Sequence, residues 1–161
     1  MSASALDFAA WSALQRFYAD YGRTLDAGDF GHWPDFFTED AIYKVQSREN
    51  FDRGLPLAAI ALESRAMLKD RVVGATDTIY HDPYYQRHLI GTPIVLDSDG
   101  ATMRCEASYL VVRTKRDSMP EILSVGRYQD RVVMTADGLR LAERLCIFDN
   151  DLIPNSLIYP I

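Results

Sequence analysis

Cysteine is nearly absent from this chain. Cys105 and Cys146 are the only two, and the residues after them, Glu106-Ala107 and Ile147-Phe148, include no histidine. An iron–sulfur centre held by two cysteines and two histidines needs closely spaced Cys-His pairs, so this chain cannot hold one. Two reduced thiols buried as small apolar groups are the expectation, and no disulfide is needed. Histidine is almost as scarce. His81 and His88, with Asp82, could in principle offer a two-histidine, one-carboxylate iron site. Pro83 disfavours a helix through this segment, and seven residues of extended chain put the two rings on opposite faces. His32, beside Trp33, is expected to cap or edge the core. Positive charge is also short: 17 Lys and Arg against 23 Asp and Glu give a net charge of -6, with the cations scattered. Nucleic acid is therefore an unlikely class of partner, since binding the phosphate backbone needs clustered cations. Phosphate-cradling glycine loops and the Gly-x-Ser-x-Gly elbow are missing. No apolar run approaches the roughly 20 residues that span a bilayer. The start, MSASALDFAAWSALQRF, has no positive leader region and carries Asp7 in its first apolar stretch. A cytoplasmic protein with no membrane contact is expected.

What is present is ordinary globular composition, 48% hydrophobic and 25% charged over 161 residues, which fits a single domain over 1–161 with a sizeable core. Phe8, Trp11, Leu14, Tyr18, Tyr21 and Leu25 recur at steps of three or four and predict an amphipathic helix that stops at Gly28. Gln15, Asp20 and Arg23 fall on its opposite face. Phe30, Trp33, Phe36 and Phe37 predict a short second helix with Pro34 in its first turn, followed by a strand over Ala41–Gln46. A third helix is predicted from Leu55 to Arg71.

Beyond Gly74 the apolar period changes to two. Strands are predicted over Tyr84–Leu96, Ala101–Thr114, Glu121–Met134 and Leu139–Phe148, separated by hairpin-type turns such as Asp137-Gly138. In the second of these, Met103, Cys105, Ala107, Tyr109 and Val111 share the buried face. The last strand sets a problem. Strict alternation puts Glu143 on one face and Arg144 on the other, so whichever face is inward carries a charge. A buried charge is costly without a partner, which predicts a Glu–Arg pair, a polar cavity or a subunit interface. The chain then runs into the apolar stretch Leu157-Ile158-Tyr159-Pro160-Ile161, which must find cover in the core or on a partner.

Helices followed by a meander of long antiparallel strands make an α+β pattern, a strongly curved sheet wrapped onto its helices in the manner of the nuclear-transport-factor-2-like cone. The same cone hosts small isomerases and dehydratases, so by fold analogy alone a stand-alone pocket enzyme is one reading, with Asp40, Tyr43, His81 and His88 as its acid–base candidates. A ligand-binding homo-oligomer is another.

Arg127-Tyr128-Gln129-Asp130, Asp137-Gly138-Leu139-Arg140-Leu141, Glu143-Arg144-Leu145-Cys146 and Leu152-Ile153-Pro154-Asn155-Ser156-Leu157, in this order and spacing, resemble the C-terminal signature of the small (beta) subunits of aromatic-ring-hydroxylating oxygenases. Arg48-Glu49-Asn50, Glu63-Ser64, Met67-Leu68 and Asp70-Arg71-Val72 are similar to the family's middle block. The resemblance covers residues 15 to 161 and implies the cone fold and a structural role. It implies no catalytic, cofactor-binding or metal residue in this chain. It also implies a large (alpha) catalytic subunit carrying a Rieske [2Fe-2S] cluster and a mononuclear Fe(II), fed by NAD(P)H through a reductase and a ferredoxin. The implied assembly is a three-plus-three hexamer in which the small subunits form a trimer. The shorter members, which this chain resembles, serve oxygenases of carboxylated arenes such as salicylate, benzoate, anthranilate or terephthalate. Residues expected at partner interfaces are Arg48, Glu49, Asp52 and Arg53 of the charged Arg48–Arg53 run, read as a loop, with Glu143, Arg144, Asn155, Leu157, Tyr159 and Ile161.

Overall fold

Asp7 opens the first helix: its carboxylate accepts the Ala10 N–H at 2.7 Å, satisfying one of the free donors that every helix N-terminus carries. The computed structural model describes residues 7–154 and 157–161. Helix α1 (Phe8–Asp26) lays Leu14, Tyr18, Tyr21 and Leu25 against a seven-stranded sheet. Phe8 and Trp11, which share the apolar stripe, are exposed. After Gly28, in the left-handed conformation at φ +72°, a 3₁₀ turn (Phe30–Phe36) buries Phe30 and Trp33.

The sheet runs in the order β2-β1-β7-β6-β5-β3 with β4 also on β5. Its strands are β1 (Phe37–Ser47), β2 (Ile60–Leu62), β3 (Tyr84–Ile90), β4 (Ile94–Ser98), β5 (Thr102–Lys115), β6 (Glu121–Thr135) and β7 (Gly138–Phe148). All pairings are antiparallel except β1 on β7. The predicted face of β5 is buried as a set. Tyr109 and Tyr128, on neighbouring strands, stack at 4.4 Å between ring centroids.

Three predicted elements differ. The helix predicted over Leu55–Arg71 is instead an irregular run, the short strand β2 that pairs Ile60 with Val45, and a helix α3 confined to Arg65–Val73. The sheet edge takes Ile60–Leu62, and the N-cap is Ser64, whose hydroxyl accepts the Met67 N–H. The charged Arg48–Arg53 run is a one-turn helix, α2 (Arg48–Asp52), capped by Ser47. The strand predicted over Tyr84–Leu96 is broken at Gly91-Thr92-Pro93. Its halves, β3 and β4, occupy successive parts of the same edge of β5. Pro93 brings no N–H to a ladder, and the Gly91 N–H goes to the Ser108 carbonyl at 2.8 Å.

Two bends shape the cone. In β7, Leu141 pairs with Val132 and Glu143 with Arg131, which leaves Ala142 as an extra residue. Such a bulge reverses the alternation beyond it, so the inward set reads Leu139, Leu141, then Arg144, Cys146 and Phe148. At Gly126, a Cβ would fall 2.0 Å from the Ile147 carbonyl oxygen. Only glycine lets β6 pass β7 that closely.

Candidate functional site

The inward charge on β7 is Arg144, and its partner is Asp130, directly across the ladder on β6. Nε donates to Oδ1 at 2.9 Å and Nη2 to Oδ2 at 2.7 Å, with both side chains fully excluded from solvent. The Tyr18 hydroxyl of α1 donates to the same carboxylate. The guanidinium lies against the rings of Tyr21 and Tyr128, at 4.0 and 4.1 Å from their centroids, a cation–π contact made stronger by the lack of water. Burial works to strip its proton, but the charge and hydrogen bonds of Asp130 outweigh burial and hold its pKa well above the ordinary value. Burial, with Asp130 adding to it, likewise keeps the Tyr18 hydroxyl protonated.

Residues 157–161 pack against the core of the cone. Ile158 and Ile161 are buried. The Ile161 carbonyl oxygen accepts from the Tyr21 hydroxyl at 2.9 Å and from the Tyr43 hydroxyl at 3.1 Å, and the Ile161 N–H donates back to Tyr43 at 2.9 Å. Trp33 Nε1–H donates to Tyr21, which orients that phenol. Tyr159 lies stacked on Phe30 at 4.6 Å and beside Tyr84 at 4.5 Å. Arg71 of α3 donates to the carbonyls of Leu157 and Ile158. The tail thus closes the cone from within.

The acid–base candidates are not brought together. Asp40 is exposed on β1 and accepts from Thr38. Tyr43 is buried under the tail, with its hydroxyl pKa raised by burial. His81 lies in the loop before β3, where Nδ1–H donates to the Ile79 carbonyl and Nε2 meets the Tyr159 hydroxyl at 2.8 Å. Of the histidines, His88 alone is buried, facing Asp26 at the end of α1. The Asp26 carboxylate takes the His88 N–H at 2.9 Å and its Nδ1–H at 2.7 Å. Asp26 was not singled out from the sequence, Tyr18 and Tyr21 were read only as part of the apolar helical stripe, and Asp130 only as part of the family-like block. An acidic residue in the last turn of a helix opposes the helix dipole, which marks Asp26 as needing a donor. Asp130 lies two residues from the inward Tyr128 and so on the same face.

The expected interface residues divide. Arg144 and Ile161 are interior to this chain: the bulge at Ala142 turns Arg144 inward, and the tyrosine hydroxyls hold Ile161. Asn155 lies outside the described residues. Leu157 and Tyr159 are half-buried against the core. Glu143 is half-buried on the outer face opposite Arg131. The exposed charges of α2 pair locally, Arg53 with Glu49 at 2.9 Å and Arg48 with Asp149 at 3.4 Å; such surface pairs contribute about 0–1 kcal/mol.

Cys105 and Cys146 are free and buried, and burial pushes both thiols up to about 12. The thiolate is the reactive form, so neither should react with a thiol-specific disulfide reagent at pH 8 in the folded chain. Both should react on unfolding; rapid labelling of the native protein would contradict this burial. Among the described residues no group of three or more His, Cys, Asp or Glu could hold a metal ion. The residues present do not fit an iron–sulfur or mononuclear iron centre. No helix among them is long and apolar enough to cross a membrane.

Comparison with known proteins gives the following. The SnoaL-like domain family matches residues 8–145. The anthranilate 1,2-dioxygenase small subunit of Burkholderia cepacia is 33% identical over 156 residues, 96% of each chain. The beta 2 subunit of the terephthalate 1,2-dioxygenase terminal oxygenase component of a Comamonas species is 28% identical over 148 residues, 92% of this chain and 96% of that one. A crystal structure described as the beta subunit of an aromatic-ring-hydroxylating dioxygenase of Novosphingobium aromaticivorans superimposes with a TM-score of 0.88 at 38% identity, covering 95% of this chain and 97% of the other.

Proposed function

The chain belongs to the SnoaL-like domain family and, within it, to the small subunits of aromatic-ring-hydroxylating dioxygenases, and from that membership we propose that it is the structural, non-catalytic subunit that holds large catalytic subunits in a hexamer. The observation that carries the reading is the filled cone. Its interior is occupied by the tail, the tyrosines and the Asp130–Arg144 pair, which are groups that support a shape rather than bind a substrate.

The outer face supports it too. Leu89 of β3 sits opposite Leu110 of β5, which sits opposite Val125 of β6, and Val112 sits opposite Ile122. Tyr85, Leu89 and Ile122 of this stripe are well exposed. A contiguous apolar patch beside charged residues is the usual make-up of a subunit contact. We assign to the same assembly role the exposed charges Arg48, Glu49, Asp52 and Arg53, with Glu143, Leu157 and Tyr159 at its margins. The small subunits form a trimer and take up three large ones. The Rieske cluster and the mononuclear iron reside in the large subunit, where electrons from NAD(P)H arrive through a reductase and ferredoxin. The relatives act on anthranilate and terephthalate, both carboxylated arenes, which supports a substrate of that class, such as salicylate.

Co-expression with the large (alpha) subunit of such a dioxygenase tests this. The chain alone should carry no iron and turn over no arene. Together the two should give an iron-containing complex of equal stoichiometry by native mass, hydroxylating a carboxylated arene. Leu89→Glu with Ile122→Glu should leave the unfolding midpoint of the chain nearly unchanged, since exposed sites usually shift stability by about 0.5 kcal/mol or less, while lowering complex formation about tenfold or more. A chain active without a partner would sink the scaffold reading.

A further inference from the structure

We propose that Asp137, at the tip of the β6–β7 hairpin, is a site of spontaneous backbone modification to isoaspartate, while the chain's other Asp-Gly pair, Asp99-Gly100, is held unreactive. The reaction needs no outside reagent but water. The Gly138 nitrogen attacks Asp137 Cγ, a C–N bond forms, and the amide proton leaves with the carboxyl OH as water, giving a five-membered succinimide. Water then adds to one of the two ring carbonyls and breaks its C–N bond. Breaking the new bond restores aspartate. Breaking the original peptide bond leaves the main chain running through the side chain, which is isoaspartate, with the composition unchanged.

The two pairs share everything but the state of the carboxylate. Both aspartates are exposed. Both glycines are in the left-handed region, Gly100 at φ +92° and Gly138 at φ +108°, with nothing within 4 Å of where a Cβ would stand. No side chain therefore shields either nitrogen. Asp99 Oδ1, however, accepts the Ala101 N–H at 3.0 Å and the Thr102 N–H at 2.8 Å, which clasps it against the amides beyond Gly100. The same two donors favour the ionised form and hold the Asp99 carboxyl below its ordinary value. Ring closure needs the protonated form, because the oxygen must leave as water. The Asp137 carboxylate has no hydrogen bond or ion pair among the described residues. Its turn is fixed from the other side: the Thr135 hydroxyl accepts the Asp137 N–H at 3.3 Å and donates to the Gly138 carbonyl at 2.8 Å. The side chain is left free to rotate onto the Gly138 nitrogen. The product lengthens the link between Thr135 and Gly138, the pair that closes the β6–β7 ladder, and so loosens the turn that sets its register.

The test uses this chain alone and does not depend on the scaffold role. The full chain is aged for weeks at neutral pH and body temperature, then cut with trypsin, which frees residues 132–140 around Asp137 and 88–104 around Asp99. Electron-transfer fragmentation of each peptide distinguishes isoaspartate from aspartate at the same mass and locates it. Isoaspartate at position 137 should exceed that at 99 about tenfold or more, the effect of opening backbone hydrogen bonds to a charged group before Asp99 can react. In concentrated urea the clasp is gone and the ratio should fall to near one. Asp137→Glu keeps the charge but would have to close a six-membered ring, and should stay unmodified. Equal accumulation at the two positions of the native chain, none at 137, or a ratio that survives in urea would overturn the proposal.

Discussion

Asp130→Ala is expected to cost about 3–5 kcal/mol of stability, the penalty of leaving a fully desolvated charge without its partner. Domains of this kind are stable by about 5–15 kcal/mol, so most of the margin goes with this one substitution, and the variant should accumulate mainly as insoluble chain. Arg144 would keep its cation–π contacts with Tyr21 and Tyr128, but both of its bonds to the carboxylate are lost and the Tyr18 hydroxyl is orphaned with them. Replacing both partners by apolar groups of similar volume, Asp130→Leu with Arg144→Met, should recover most of the loss, because the pair's own desolvation cost disappears with it. Urea unfolding of the two single variants and the double variant gives the coupling directly. A single variant within about 1 kcal/mol of the parent would mean that water reaches the pair.

Removing residues 157–161 should be nearly as severe. Ile158 and Ile161 are buried in this chain's own core, and truncating one such side chain costs about 2–5 kcal/mol. The deletion also takes the acceptor from two buried tyrosine hydroxyls and the carbonyl partners of Arg71. The packing places loss of the fold ahead of loss of assembly. Ile161→Ala is the gentler variant, expected to lower stability by about 2–4 kcal/mol, read from the denaturant midpoint and set beside the mass in solution by light scattering. Parental stability with failed assembly would return the tail to the interface.

The long elements were legible because their period is long and unbroken: α1 from Leu14 to Leu25, β5 from Met103 to Val111. The α+β cone followed from their order. What escaped were local devices that override period. Ala142 adds one residue to β7, so the strict alternation that put Leu145 and Ile147 with Leu141 fails beyond it, and the charge that had to be buried turned out to be Arg144 facing an aspartate of the neighbouring strand. The run Leu57 to Leu62 has helical spacing, yet the open edge of β1 claims part of it. The Asp26–His88 pair joins residues 62 positions apart and could not be read without the topology, though an aspartate at the wrong end of a helix was a hint. The resemblance carried the family, and packing then separated the interior members of the expected interface set from the exposed ones.

The parallel pairing of β1 with β7 bears on the order in which the protein can form. Lys44 lies beside Leu145, and Tyr43 grips Ile161, so the strand made first in synthesis waits for nearly the last. Contacts this far apart in sequence slow folding, because the loop between them must be closed before they reward it. Until β7 and the tail leave the ribosome, β1 has among the described strands only the three-residue β2 to pair with, and Tyr43 lacks its hydrogen bonds to Ile161. Nascent chains stalled before residue 138 should therefore bind general chaperones strongly and release them only when synthesis passes the tail.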